Sequence, residues 1–86
     1  MIDIVQHHIS LSQYPIREGS IMINNSIAGL GVREQTECMI IGIDRGNESI
    51  TNFNAGFVFQ ESDVVWLAGQ MDKLAAFEAN INKRFY

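Results

Sequence analysis

Two short apolar runs constrain this chain more than any other feature. Glu37 to Asp44 and Val64 to Ala68 are each rich in Ile, Val or other apolar residues and are bounded by polar turns, so both read as strands. The second run is sharply framed. Gln60-Glu61-Ser62-Asp63 forms a tight polar turn, Gly69 closes the run, and a helical pattern opens at Met71. In the first run Met39, Ile41 and Ile43 alternate with Cys38, Ile40 and Gly42. Both sets are apolar, which predicts a strand covered on both faces. Trp66 is the side chain with the largest area to bury in the second.

The rest of the chain arranges itself around these strands. Ile2 to Leu11 alternates weakly, with Ile9 and Leu11 on one side and Ser10 and Ser12 on the other, and reads as a further strand. Pro15 lacks a backbone donor and belongs at an edge or in a loop. Arg17-Glu18-Gly19-Ser20 is a turn. Ile21-Met22-Ile23 is an apolar patch, followed by Asn24-Asn25-Ser26, which offers an N-cap at Asn25 or Ser26. Ile27, Ala28 and Leu30 then make one to two helical turns, and Gly31 is placed to end them in the left-handed conformation. Arg45-Gly46-Asn47-Glu48 is a hairpin turn, Ser49 to Asn52 returns as a short strand, and Asn52 to Gly56 is a loop. Phe57-Val58-Phe59 is apolar and extended. From Met71 to Phe85, the positions Met71, Leu74, Phe77 or Glu78, Ile81 and Phe85 follow the 3.6-residue period of an amphipathic helix, with Asp72, Lys73, Asn80 and Lys83 opposite.

Composition narrows the function. Eighty-six residues support one core, which at this size is marginal alone, so an exposed apolar face or self-association is expected. The net charge of −4, with only six Lys and Arg dispersed along the chain, argues against nonspecific nucleic-acid binding and against docking on an anionic membrane. The single cysteine, Cys38, cannot staple the fold or build a zinc site alone. It reads as buried packing and fits a reducing compartment. No apolar run reaches the roughly 20 residues of a membrane span.

The residues that carry chemistry elsewhere do not assemble here. His7 and His8 are adjacent, so in a strand they point to opposite faces and do not chelate one ion together. Gly29 and Gly31 come at the end of a short helix, whereas a phosphate cradle needs glycines at its start. Glu61 and Asp63 flank Ser62 in a turn, where Asp caps local amides. The serines have no spaced His–Asp pair. The chain therefore reads as non-enzymatic. Ile21, Met22, Ile23 and Ile27 admit two readings: part of the core, or an Ile- and Met-lined interface or ligand groove edged by Asn24, Asn25 and Arg33.

With those residues laid out, Ile9 to Ile81 resembles the TrkA C-terminal domain, the C-terminal lobe of regulator-of-potassium-conductance (RCK) modules. Ser20 to Glu34 is similar to that family's apolar pair, short helix and Gly-Leu-Arg-Glu-like exit. Cys38 to Gly46 is similar to its buried strand ending in Arg-Gly, and Ser62 to Gly69 to its Gly-Asp turn, apolar strand and terminal glycine. Asn24 and Ser62 stand where the family usually has Gly, and Asn52 and Asn54 where prolines are common. All four are turn positions, and Asn is the next-best residue for unusual backbone angles.

The resemblance implies a small α+β domain over residues 1–86, with a core at about 9–82, a mixed or antiparallel sheet, one short helix and a C-terminal helix. It implies a homodimer on the cytoplasmic side of the membrane that regulates a potassium or sodium/proton transport system, an antiporter being favoured, with a membrane-embedded transporter domain as partner and no nucleic-acid polymer. No nucleotide-binding lobe precedes the domain in this sequence, and its end soon after the closing helix fits the C-terminus of a transporter polypeptide. A small effector such as a cyclic dinucleotide is expected at a dimer groove of Ile21, Met22, Ile23, Asn24, Asn25, Ile27 and Arg33. The rival expectation is a ligand-free dimerisation domain.

Overall fold

The computed structural model describes residues 8–32 and 36–81, the side chains of Asn80 and Ile81 excepted. The elements run β1 (Ser10–Pro15), α1 (Ile27–Leu30), β2 (Met39–Arg45), β3 (Glu48–Ile50), β4 (Val64–Gly69) and α2 (Met71–Ile81). The four strands form one sheet in the order β1-β4-β2-β3, and every pairing is antiparallel. The two apolar runs are thus the two central strands, each hydrogen-bonded on both sides. The first strand begins later than the alternation predicts and runs on to Pro15. Pro15 ends an edge strand, the place where a missing donor breaks no ladder. The expected Ile2 to His7 portion lies outside the described residues, as do Lys83 and Phe85.

Direct partners in an antiparallel ladder share a face. Leu11, Ala68 and Met39 therefore make one row across β1, β4 and β2 on the outer face, followed by the rows Gln13–Trp66–Gly42 and Pro15–Val64–Asp44. Tyr14, Val65 and Ile43 lie on the inner face. That face is covered by Leu74 and Phe77 of α2 and by Ile16, Met22, Val32, Cys38 and Phe59 from the connections. The Tyr14 hydroxyl donates to the Leu74 carbonyl at 2.9 Å, and the Tyr14 and Phe77 rings lie 5.5 Å apart. Cys38 is buried, and burial raises its thiol pKa. A Cβ on Gly69 would stand 3.2 Å from the Cys38 sulfur, so the glycine allows this close approach.

Three expectations are corrected. The first concerns β2, which is not covered on both faces: Met39 is 51% and Ile41 38% exposed. Its alternation also breaks. Ile40 pairs with Leu67 and Gly42 with the next residue, Trp66, leaving Ile41 as the extra residue of a β-bulge. The bulge moves Ile43 off the side of Met39 and into the core. The second is Trp66, which sits on the outer face, half-buried, with its indole N–H donating to Asp44 Oδ2 at 2.9 Å. The third is Met71, on the apolar side of the predicted helix but exposed, because the packed stripe of α2 starts only at Leu74.

Local signals in the sequence are realised closely. Ser26 caps α1, accepting from the Gly29 amide at 2.9 Å, and Gly31 ends it with φ 62°. Gly46, with φ 62°, is the first of two residues turning β2 into β3.

Candidate functional site

The segment from Ser20 to Asn25, which leads into α1, is irregular and takes its shape from hydrogen bonds of its own. The Ser20 carbonyl accepts from the Ile23 amide at 3.3 Å, and the Met22 carbonyl from the Asn25 amide at 3.1 Å. The Asn25 side-chain amide donates to the carbonyls of Ile21 (2.7 Å) and Ile23 (3.4 Å), so it closes the turn. Asn24 adopts φ 66°, the left-handed geometry that its place at a glycine position calls for. Its side chain is exposed and has no hydrogen-bond partner among the described residues.

This segment then pairs with the extended Phe57-Val58-Phe59. Asn24 N–H donates to Phe59 O at 2.9 Å, Phe59 N–H to Asn25 O at 3.1 Å and Ile27 N–H to Phe57 O at 3.1 Å. Beneath this extended segment lies a charged clamp. Arg45 Nε donates to Asp63 Oδ1 at 2.9 Å, and Arg45 Nη2 donates to Asp63 Oδ2 at 2.8 Å and to the Val58 carbonyl at 3.1 Å. The guanidinium also lies 4.9 Å over the Phe57 ring. Asp63 is 1% exposed, and its Oδ2 additionally accepts from the Gln60 amide at 2.8 Å. Burial pushes this carboxyl up, but the Arg45 hydrogen bonds, the Gln60 amide and the Arg45 charge together bring it below the usual Asp range. The clamp grips the strand that grips the candidate segment, so Arg45 and Asp63 position it.

The expected site residues therefore divide. Ile21, Ile23 and Ile27 are half-buried and packed against the core, with Asn24 and Asn25 exposed beside them. Met22 is only 1% exposed and belongs to the core beneath, so it forms floor rather than wall. Arg33 lies outside the described residues, as does His7. Three open clefts among the described residues lie elsewhere. One, of about 360 Å³, is bounded by Ile9, Met39 and the Lys73–Glu37 ion pair; another, of about 300 Å³, by Ile41, Asp44 and Trp66; the third lies between β1 and α2. No group of three His, Cys, Asp or Glu gathers as a metal site among the described residues. Sequence reasoning took Asp63 for a turn cap, which it is, but missed Arg45 as its partner. The Arg45-Gly46 and Ser62-Asp63 motifs were visible; their meeting across the sheet was not.

This arrangement, among the described residues a four-stranded antiparallel sheet with helices α1 and α2 and a capped turn docked on an extended segment, is that of the TrkA-C domain. The family's model matches residues 11–82, and the chain belongs to that family. It is a regulatory module rather than an enzyme. Among solved structures it is similar to the RCK C domain of the potassium transport protein KtrA in complex with cyclic diadenosine monophosphate, at 31% identity and TM-score 0.79 over 86% of this chain and 85% of that one. It is similar to the crystal structure of the GsuK RCK domain at 25% identity and TM-score 0.78, over 99% of this chain but 18% of that one. It also shares its fold with the RCK_C domain dimer of S. agalactiae BusR in complex with c-di-AMP, at 23% identity and TM-score 0.77 over 85% of this chain and 96% of that one. A longer BusR structure is in complex with its busAB-promotor DNA, so the fold also serves within a DNA-bound protein. No curated relative matches the chain. No helix among the described residues is long and apolar enough to cross a membrane.

Proposed function

We propose that this chain is the cytoplasmic, dimerising, effector-sensing domain of a monovalent cation transport system. Its effector is of the cyclic dinucleotide class and sits on the shelf of Ile21, Ile23 and Ile27, with Asn24, Asn25 and Arg33 at its rim and Met22 as floor. The observation that supports this most is the likeness to the KtrA domain in complex with c-di-AMP, over nearly the whole of both chains. The residues suit the chemistry: half-buried isoleucines accept a base face, and the free amide of Asn24 can donate to base or phosphate. Arg33 is the one cation of the set and offsets a phosphate charge that the acidic chain would otherwise repel.

The mechanism is a population shift. An effector that prefers one arrangement of two copies draws the pair toward it by no more than its difference in affinity for the two arrangements, and an attached membrane-embedded domain of the same transporter, a cation–proton antiporter being favoured, responds. Because the Arg45–Asp63 clamp holds the strand beneath the shelf, a change there is transmitted to the centre of the sheet.

One observation favours a second reading, a ligand-free dimerisation domain: the Asn25 amide is already used within its own turn. A thermal-shift series with cyclic dinucleotides separates the readings. Binding to the folded state alone raises stability by about 2.7 kcal/mol at 100 times Kd. A midpoint that rises with one ligand, and stays put in Asn24→Ala or Arg33→Ala, supports the sensor. A midpoint indifferent to them all leaves the scaffold.

A further inference from the structure

Trp66 stands opposite Gly42 in the sheet, and Asp44 stands opposite Val64 in the next row. The indole N–H nevertheless reaches Asp44 Oδ2 at 2.9 Å, so the ring leaves its own row for the next. Diagonal neighbours of an antiparallel pair lie about 7–8 Å apart, a span that an aromatic side chain covers. A cleft of about 300 Å³ opens here, bounded by Trp66, Gly42, Ile41, Asp44, Ser49 and Thr51. A Cβ on Gly42 would meet the Ile50 carbonyl at 3.5 Å and Thr51 Cγ2 at 3.7 Å, both ordinary contacts. Crowding therefore does not demand glycine at this position. The missing side chain leaves open space beside the ring.

Asp44 is the charged group of this cleft. Its oxygens accept from the Trp66 indole N–H and from the Ser49 hydroxyl at 2.8 Å, and both donors are neutral. Those two bonds hold its carboxyl below the usual Asp range, so at neutral pH it is an anion. The ion pairs among the described residues are Arg45–Asp63 and Lys73–Glu37, and neither involves Asp44. Its neighbour Arg45 is committed to the buried carboxylate of Asp63. The charge of Asp44 is thus oriented by hydrogen bonds and not neutralised by them. We propose that this cleft binds a small organic cation of the alkylammonium class, with its charged head beside the Asp44 carboxylate and its apolar body against the Trp66 indole. Each carboxylate oxygen already accepts one hydrogen and keeps a further lone pair, which an ammonium N–H can use. A cation beside an indole also gains from the negative face of the ring. A bare metal ion suits the cleft poorly. It needs several oxygen ligands, and no group of three His, Cys, Asp or Glu gathers among the described residues. The volume is at the lower end of small-molecule sites, which fits a ligand of a few heavy atoms.

Trp66 is the only tryptophan, so its emission reports this cleft directly. The test titrates the full chain with n-butylammonium chloride at fixed ionic strength, with sodium chloride and 1-butanol as the charged and the uncharged controls. The expected result is a saturable change in Trp66 emission with n-butylammonium and none with either control. Asp44→Asn keeps an acceptor for the indole N–H and removes only the charge, and it should weaken the binding about tenfold. No saturable change, an equal response to 1-butanol, or an affinity unchanged in Asp44→Asn overturns the proposal. The cyclic dinucleotide thermal shift is read separately, so the sensor reading and the cation cleft can each fail alone.

Discussion

Asp44 and Arg45 are neighbours in β2, yet they make opposite kinds of polar contact. Arg45 reaches a carboxylate that is almost wholly buried, and four hydrogen bonds satisfy the pair and its surroundings. Asp44 stands on the open face and accepts from Trp66 and Ser49, which bring it below the usual Asp range through those two bonds. Burial makes the difference. A charge removed from water needs its partner, whereas a charge left in water merely prefers one. The same contrast holds for the apolar side chains: inner Leu67 is sealed while outer Leu11 meets solvent.

Breaking the buried pair should have the largest effect. Arg45→Met strands the Asp63 carboxylate and should cost about 3–5 kcal/mol in urea unfolding, whereas Asp44→Asn should leave the urea midpoint nearly unchanged. Leu67→Ala should cost about 3 kcal/mol by leaving a core cavity, against no more than about 0.5 kcal/mol for Leu11→Ala measured at dilutions where the chain is monomeric.

Acid titration sharpens the same contrast. The Asp63 pKa is lowered in the folded state, so its stabilising contribution is complete above the unfolded value of about 3.9 and disappears as pH falls through the folded value. Stability of the wild type should fall more steeply over that acid range than stability of Asp63→Asn. A parallel slope in both would show that Asp63 is not linked to folding.

The smallest effect runs the other way. Ser62 holds φ 76° without being glycine, and Ser62→Gly should raise the melting free energy by about 0.5–1 kcal/mol.

Much of the fold was legible because it rests on local rules. Ser26 and Gly31 delimit α1 by capping chemistry, the turn at Gly46 follows from backbone freedom, and Asn24 and Ser62 hold left-handed angles at positions where the resemblance placed glycine. The bulge at Ile41 was not legible, since an alternating pattern carries no mark of an inserted residue. Nor was the exposure of Leu11 and Met39, because alternation shows which residues share a face and not which face is covered. The candidate shelf was legible only through the resemblance. Its support, Arg45 on Asp63, joins residues 18 positions apart, and no local rule connects them.

The sequence alone determined the element types, their caps and turns, the two apolar runs as strands and the family. All of these depend on interactions within a few residues, or on a motif order read directly along the chain. Only the tertiary structure decided that Met22 is floor, that Ile43 turns inward, that Arg45 holds Asp63 and that one side of the sheet stays apolar and open. These depend on which segments the sheet brings together, and burial and long-range charge pairing are properties of that assembled geometry.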